Sequence, residues 1–303
     1  MAFLSNIQRI DSNLKGLLKA LKDTLLKTPL RFFHRFNLTN IQFFFKYVNK
    51  KFHCPNCGAD TKSVFCWPDL ALRREHNVGY LREDLTCKNC LASMRGRMLS
   101  LVFLNHLNAR FCADYQSLKE LSENCVLDLH VLNTDKFSVM NPFFANSEKF
   151  WLSGYFPDKP NGSKLENNVF NVDLQSIPFE DNTFDVILTS DVMEHVRDSE
   201  KAHREIFRVL KPGGIYIFTV PYNPELEQTR ILVDTTTDED VFLCRPQYHG
   251  DPLTGGILTY RIFGKSLLTE LKNIEFSVND MHINSEKHLI LNGDVFCAIK
   301  PKK

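Results

Sequence analysis

The chain has 303 residues, enough for one catalytic domain of ordinary size with an N-terminal appendage, and its 43% hydrophobic fraction supports a buried core. The formal net charge of +1 hides an asymmetry, because residues 1–51 carry +8 and the remaining residues carry −7. This negative charge of the predicted catalytic region argues against a broad surface for nucleic acid, which is itself negatively charged. We therefore do not expect nucleic acid as a partner.

The basic segment of residues 1–51 predicts amphipathic helices. Apolar residues recur at helical spacing among lysines from Ile7 to Leu26, and a second apolar piece runs from Ile41 to Val48. Two interpretations stay open: a helix packed on the rest of the protein, or a segment that contacts a membrane surface or a partner protein. No apolar stretch is long enough to span a bilayer and no secretory signal is recognisable, so we expect a cytoplasmic protein, peripheral at the membrane under the second interpretation.

Two C-x-x-C pairs predict a zinc ribbon over residues 52–92. The predicted ligands are Cys54, Cys57, Cys87 and Cys90. Each pair forms a knuckle, and four thiolates complete a closed tetrahedron that leaves no position for water, so the predicted zinc is structural. Unmetallated thiols, or exchange of one ligand for Cys66 or His53, remain as alternatives.

Linking helices are predicted over residues 93–123, beginning with an apolar helix from Ser93 to about Leu107. Arg95 and Arg97 stand at its start. They either bind an acidic group of a substrate or face solvent, and the sequence does not decide between the two.

Residues 184–221 predict a strand, a helix and a second strand. Phe184–Thr189 is a short apolar run typical of a strand buried on both faces, and Asp198 or the following serine can cap a helix. Ile215–Val220 is the second buried strand. Such a unit is a right-handed parallel crossover, and ligands bind beyond the carboxyl ends of its strands. We therefore place Ser190 and the residues after it at a ligand-facing edge.

Two short motifs in this unit carry a resemblance. E-H-V stands at residues 194–196, after the first strand, and R-V-L-K-P-G-G stands at residues 208–214, before the second. At this spacing they resemble the class I S-adenosylmethionine-dependent methyltransferase superfamily, in particular its small-molecule enzymes. With the ribbon ahead of it, the chain is similar to bacterial methyltransferase-domain proteins over roughly residues 52–300.

The resemblance implies an α/β fold, with a Rossmann-like, mostly parallel sheet of the class I methyltransferase type over residues 124–303. It also implies S-adenosylmethionine as the cofactor. The cofactor-binding residues that it implies are Asp128, His130, Asp158, Asp173, Leu174 and Ser190.

These residues follow from the predicted strands. Cys125–Leu129 is the predicted first strand, and the turn after it, from His130 to Thr134, has no glycine where the superfamily has a glycine-rich loop. Asp158 is the acid nearest to the end of the second strand, either a ribose ligand or a simple turn residue. Asp173 follows the third strand, where related enzymes place an acid near the adenine amino group. The apolar side chain of Leu174 would then contact the adenine ring.

His195 is the predicted general base, because its unperturbed pKa lies near neutrality and it stands at the edge where acceptors bind. The alternative is that Glu194 and His195 only order the first turn of the next helix. His249 is the rival catalytic residue. It lies in an insertion at about residues 222–262 that we interpret as a substrate lid, with Tyr248, Asp251 and Tyr260 as further substrate contacts.

The sequence predicts S-adenosylmethionine-dependent methyl transfer to a small-molecule or glycan-type acceptor. One alternative is a catalytically inactive methyltransferase fold that serves as a binding or assembly module, motivated by the missing glycines. A second alternative is an RNA methyltransferase, which would need a continuous basic strip that joins the ribbon to the active site.

Overall fold

The computed structural model describes residues 47, 50–64, 82–83, 85–165, 169–249 and 256–302. Apart from the first, these belong to one compact unit, Asn49–Phe65 with Gly79–Lys303. The predicted N-terminal helices lie outside the described residues, apart from Tyr47, and so do Cys66 and Asp251. Among the described residues, no helix is both long and apolar enough to cross a membrane.

The cysteine pairs lie on a small antiparallel sheet, with two helices after it. Strand β2 pairs with both β1 and β3. The elements are β1 Lys51–His53, β2 Asp60–Val64, β3 Thr86–Cys87, α1 Met94–Phe111 and α2 Leu118–Asn124. The predicted helix start at Ser93 is confirmed, since its Oγ accepts a hydrogen bond from Gly96 N at 3.2 Å.

A larger sheet follows. Its first five strands are β4 Val131–Asn133, β5 Phe150–Gly154, β6 Val169–Asn171, β7 Phe184–Ser190 and β8 Leu210–Thr219, with helix α3 Ser199–Val209 between the last two. Where these five strands pair with one another, they run parallel. The predicted cap of α3 is confirmed at Asp198, whose Oδ1 accepts from Lys201 N at 2.9 Å.

The insertion predicted as a lid consists of short paired strands. These are β9 Arg230–Ile231, β10 Val233–Asp234, β11 Val241–Phe242, β12 Tyr248–His249, β13 Ile257–Leu258 and β14 Arg261–Ile262. The pairs are β10 with β11, β12 with β13, and β14 with β9, all antiparallel. The residues of this insertion that the structure describes are therefore held by backbone hydrogen bonds.

Helix α4 Ser266–Asn273 and strands β15 Ser277–Ser285 and β16 Ile290–Ile299 complete the fold. The strand order of the large sheet is β15-β16-β8-β7-β4-β5-β6, and β16 is antiparallel to both of its neighbours. This order confirms the predicted Rossmann-like, mostly parallel sheet. Its apolar core includes Phe184, Tyr216, Phe218 and Phe296, all of them fully buried.

The predicted first strand was placed too early in the chain. The strand is Val131–Asn133, not Cys125–Leu129. Asp128 is exposed and forms an ion pair with Lys149, a position that a strand buried on both faces does not offer. His130 lies at the amino end of β4, where its backbone N donates to Asp185 Oδ2 at 2.9 Å.

This shift moves two predicted cofactor ligands to the wrong edge of the sheet. Asp128 and His130 lie at the amino ends of the parallel strands, whereas ligands in such sheets bind at the carboxyl ends. These two residues therefore do not lie at the ligand-binding edge, which was the reason for predicting that they bind the cofactor. Asp185 behaves as predicted, as a structural residue at the start of β7, and also accepts from Lys211 Nζ at 2.6 Å.

Candidate active site and cysteine cluster

The four predicted zinc ligands lie together. Cys54 Sγ is 3.7 Å from Cys90 Sγ and Cys57 Sγ is 3.9 Å from Cys87 Sγ, and all four sulfurs lie within 4.8 Å of one another. Zn–S bonds of about 2.3 Å separate the sulfurs of a tetrahedral site by about 3.8 Å. The four sulfurs therefore fit a structural zinc ion without rearrangement.

Two backbone knuckles present these sulfurs. Gly58 N donates to Cys54 O and Leu91 N donates to Cys87 O, both at 2.9 Å, so the two loops have the same hydrogen bonds. Gly58 has φ +73, and a Cβ there would lie 2.8 Å from Ser117 Oγ. The neighbouring cysteine sulfurs raise the pKa of Cys54, because four crowded thiols cannot ionise together without a cation.

Arg97 joins this cluster to the large sheet. Its side chain is fully buried and donates to four backbone carbonyls: Leu85 O at 2.6 Å, Ala92 O at 3.0 Å, Leu289 O at 2.8 Å and His288 O at 3.1 Å. Burial lowers its pKa to about 10, and the cysteine cluster opposes that shift. Arg97 is therefore a structural cross-link and does not face a substrate.

Arg95, two residues earlier, lies at the carboxyl edge of the large sheet. Its guanidinium forms a bidentate pair with Glu83, with Nε–Oε1 at 2.5 Å and Nη2–Oε2 at 2.9 Å. It also donates to Ser190 Oγ and lies 3.4 Å from Asp191 Oδ2. The acidic environment keeps the pKa of Arg95 above its usual range, although burial opposes this. The two arginines thus have different roles.

Asp191 is the centre of this charged group. Its Oδ1 accepts from Arg82 Nη2 at 2.8 Å and from Thr219 Oγ1 at 2.9 Å. Burial alone would raise the pKa of Asp191, but the guanidinium groups of Arg82 and Arg95 hold it below its usual range. The residue adopts φ +51, a left-handed conformation that turns the chain sharply after β7.

Asp135 is the acid that follows the true first strand. Burial raises its pKa, while Phe137 N donates to its Oδ1 at 2.9 Å and Arg95 also counteracts the shift. With Glu83 and Asp191, it gives this edge three carboxylates against the guanidinium groups of Arg82 and Arg95. With Lys136 nearby as a third cation, the edge is a dense group of charges of both signs.

The other predicted cofactor residues occupy different surroundings. Asp173 lies at the carboxyl end of β6, and its Oδ1 accepts from Gln175 N at 2.8 Å. Leu174 is only 6% exposed and packs in the apolar core, and its contact with a ligand stays a prediction. Asp158 is exposed in a turn. Ser190 lies at the carboxyl end of β7 as predicted.

Phe156 covers the turn after β5. A Cβ on Gly154 would lie 3.0 Å from its ring, and Lys136 Nζ lies 4.4 Å from the ring centroid on the side of the turn after β4. Asn171 fixes this loop, because its side chain bonds the Phe156 backbone at both N and O. An aromatic ring and a lysine thus lie together at the carboxyl ends of β4 and β5.

The two predicted catalytic histidines, 54 positions apart in the sequence, lie against each other. The ring centroids of His195 and His249 are 4.9 Å apart in an edge-to-face arrangement. Between them lies Glu194, whose Oε1 is 3.6 Å from His195 Nε2 and 3.4 Å from His249 Nδ1. Glu194 is fully buried, and its carboxylate raises the pKa of His249.

The insertion holds this group in place. Leu258 O lies 2.8 Å from His195 Nδ1, and Tyr260 N donates to Glu194 O at 2.8 Å. Arg261 donates to Val196 O at 2.7 Å and to Arg197 O at 2.7 Å. The segment that carries His249 is thereby fixed against the segment that carries Glu194 and His195.

Residues 157–218 match the family model described as a methyltransferase domain. This chain carries a class I methyltransferase fold. The match covers the region in which the sequence resembles that superfamily, and the strand order of the sheet agrees with it. The predicted resemblance is confirmed.

Curated relatives align with parts of the chain. A ubiquinone/menaquinone biosynthesis C-methyltransferase from Vibrio cholerae is 41% identical over 80 residues, which are 26% of this chain and 31% of the relative. The corresponding protein from Vibrio parahaemolyticus is 29% identical over 142 residues, 46% of this chain and 53% of the relative. The chain thus spans about half the length, or less, of these relatives.

Solved structures align with a larger share of this chain than the curated relatives do. A S-adenosylmethionine-dependent methyltransferase from Methanosarcina mazei has 16% identity and a TM-score of 0.35, with 60% of this chain and 97% of that chain covered. A 1,6-didemethyltoxoflavin-N1-methyltransferase from Burkholderia thailandensis has 13% identity and a TM-score of 0.33, with 67% and 91% covered.

The sequence analysis missed Asp135 and Arg82. Asp135 was missed because the strand before it was placed six residues too early, and the correct register would have identified it. Glu194 was placed at the ligand-facing edge, but it was given no ligand-binding role there. No local sequence pattern indicates the role of Arg82, because it pairs with Asp191, which lies 109 residues away in the sequence.

Proposed function

We propose that this protein transfers a methyl group from S-adenosylmethionine to a small-molecule or glycan-type acceptor. The observation that carries the proposal is the carboxyl edge of the sheet, where Asp135, Asp173 and Ser190 follow three different strands of a methyltransferase fold. Ligands of such sheets bind at this edge. The curated relatives are named as methyltransferases that act on carbon, which supports the reaction type.

The charges of the edge fit this cofactor. S-adenosylmethionine supplies an electrophilic methyl group on a positively charged sulfur. The carboxylate of Asp135 favours a cation, while Arg95 stays paired with Glu83 and Asp191 beside it. Asp173, at the end of β6, has the position that suits an adenine amino group.

Binding of the cofactor's ribose requires two side chains to move. Phe156 and Lys136 lie over Gly154, so a ribose can approach the backbone there only if these side chains shift. This feature supports the alternative of an inactive binding module, and the experiment below distinguishes the two.

His195 and His249 have the base role in the proposal. They lie at the same edge as Ser190, and an acceptor hydroxyl or amine beside them can lose its proton to an imidazole as its lone pair attacks the methyl carbon. Glu194 is shielded from water by burial, whereas His249 stays partly exposed to an acceptor. Positioning and desolvation are the main demands of methyl transfer.

The test is calorimetric titration of the folded, zinc-loaded protein with S-adenosylmethionine and S-adenosylhomocysteine. We expect a dissociation constant on the order of micromolar, weakened at least about tenfold by Asp135→Asn or Asp173→Asn, each of which removes a charge. Asp128→Asn is the matched control, since this acid lies at the opposite edge, and it should bind as the wild type does. Methyl transfer to acceptor candidates would then be measured with labelled cofactor.

No binding heat in the folded wild-type protein would overturn the proposal and favour the inactive module. An equal loss in Asp128→Asn would also count against it, since the effect would then not depend on the carboxyl edge. The RNA alternative predicts retention on RNA at physiological salt.

A further inference from the structure

We propose that Glu194, His195 and His249 form a binding site for a divalent transition-metal cation, separate from the cysteine cluster. One carboxylate oxygen and two imidazole nitrogens, one from each residue, lie within 4.8 Å of one another. A carboxylate with two imidazoles is a donor set for first-row cations such as Mn²⁺, Fe²⁺ or Zn²⁺. That the site binds a cation does not depend on the proposed methyl transfer, whereas its use there does.

The distances suit a shared ion. Glu194 Oε1 is 3.4 Å from His249 Nδ1 and 3.6 Å from His195 Nε2. Metal–ligand bonds of about 2.0–2.2 Å put two ligand atoms of a tetrahedral site about 3.4 Å apart. The three donors thus need only a small adjustment to bind one cation and leave further coordination positions open.

The buried carboxylate of this cluster lacks hydrogen-bond donors among the residues that the structure describes. Glu194 is fully buried, and within the described part of the chain neither of its carboxylate oxygens has a hydrogen-bond partner. A buried, ionised carboxylate without a partner is costly, so such groups are paired or bind metals. The unpartnered oxygens therefore point to a cation that belongs between the residues.

The tautomer of His195 supports the same conclusion. Leu258 O can only accept, so His195 Nδ1, at 2.8 Å, carries the hydrogen and donates it. In the neutral ring, Nε2 then presents a lone pair toward Glu194. Histidines that bind metals commonly donate their other ring N–H to a backbone carbonyl, which fixes the ring and its tautomer.

Among the described residues, the nearby arginines have other hydrogen-bond partners. Arg82 and Arg95 are engaged with Asp191 and Glu83, and Arg261 donates to the backbone carbonyls of residues 193 and 196. Protonation of both histidines is the competing solution, and it predicts no metal binding. Under the proposed function, a cation here would take up the lone pairs of the two imidazoles and replace their base role, because it would bind an acceptor oxygen at the carboxyl edge and favour loss of its proton.

Manganese is the suitable probe, because thiolates prefer softer cations and the cysteine cluster should not compete for it. We would titrate zinc-loaded full-length protein with Mn²⁺ and follow the free-ion electron paramagnetic resonance signal. The expected result is one bound Mn²⁺ per chain and a rise of about 5 °C in the thermal midpoint at saturation. Tenfold excess Mg²⁺ should not displace it, because Mg²⁺ prefers oxygen ligands.

Glu194→Gln and His249→Gln should each weaken Mn²⁺ binding at least about 100-fold, since each removes one ligand. His249 is 39% exposed on its side chain, so His249→Gln should fold normally even if the buried variant does not. His282→Gln is the matched control: His282 pairs with Asp294 at 2.8 Å on an exposed part of β15 and should leave binding unchanged.

Absence of Mn²⁺ binding to the wild-type protein would overturn the site, as would wild-type affinity in His249→Gln. The titration contains no S-adenosylmethionine, so its outcome is independent of the cofactor titration described above. Metal binding without cofactor binding would refute only the methyl-transfer proposal, and cofactor binding without metal binding would refute only this site.

Discussion

The cysteine cluster and the group of Glu194, His195 and His249 both gather donor atoms within 4.8 Å, but they are built differently. The four cysteines lie on two local knuckles that close around their sulfurs. The carboxylate and the histidines come from two distant segments and leave one side toward the carboxyl edge of the sheet. The first arrangement suits a structural ion, and the second suits an ion or proton that takes part in chemistry.

The largest effect should come from breaking the closed cluster. Cys54→Ser removes a zinc ligand, and because metal binding is coupled to folding, we expect loss of the bound zinc and about 5 kcal/mol or more of unfolding free energy. Zinc content and urea denaturation would measure this. Cys112→Ser, an exposed cysteine after α1, is the control. A Cys54→Ser protein with wild-type stability would refute a structural zinc.

Arg97→Met should have the next largest effect. It removes the donor for four carbonyls that join the ribbon to residues 288–289, so we expect a loss of about 3 to 5 kcal/mol in urea denaturation. Arg110→Met, at an exposed position of the same helix, should change stability little. Equal stability of the two variants would show that Arg97 is not the cross-link between these regions.

Asp191→Asn tests the charged edge between the two clusters. Because the folded-state pKa of Asp191 is lowered, its carboxylate stabilises the folded protein above its unfolded pKa of about 3.9, and this is lost as pH falls through the folded pKa. We expect a deficit of about 2 kcal/mol at pH 7 that shrinks below pH about 4. Stability curves against pH would measure it, and a deficit independent of pH would contradict the ion-pair argument.

The smallest expected effect is a gain in stability, in contrast to the losses described above. Without added divalent cation, Glu194→Gln should raise the unfolding free energy by about 1 kcal/mol, since an amide is cheaper to bury than an unpartnered carboxylate. Thermal unfolding with the zinc site loaded would measure this. A loss of stability would instead show that protonated histidines already neutralise Glu194, which is the competing solution for this cluster.

Local signals explain which parts of the molecule could be predicted from sequence. The spacing of the cysteines, the cap at Asp198 and the apolar strands near Phe184 are all encoded within a few residues, and the structure agrees with these predictions. The position of the first strand was ambiguous, because residues 125–132 form one apolar run interrupted only by Asp128 and His130. Only pairing with β5 and β7 selects Val131–Asn133.

The candidate site could be predicted only in part. His195 and His249 were each identified as catalytic candidates and treated as rivals, whereas the structure places them side by side. Their contact depends on how the insertion packs on the segment after β7, through Leu258 and Tyr260. Contacts between segments this far apart cannot be predicted from the spacing of residues within a motif.

The joint between the ribbon and the end of the large sheet has a consequence for biosynthesis. His53 N donates to Lys287 O at 2.8 Å, and His288 Nδ1 lies 2.9 Å from His53 O, although positions 53 and 288 are 235 residues apart. While the ribosome is still making the intervening chain, these partners do not exist. The ribbon therefore lacks these contacts until the turn between β15 and β16 has been made, and a nascent chain stalled before residue 287 should be more sensitive to protease at its ribbon than the complete chain.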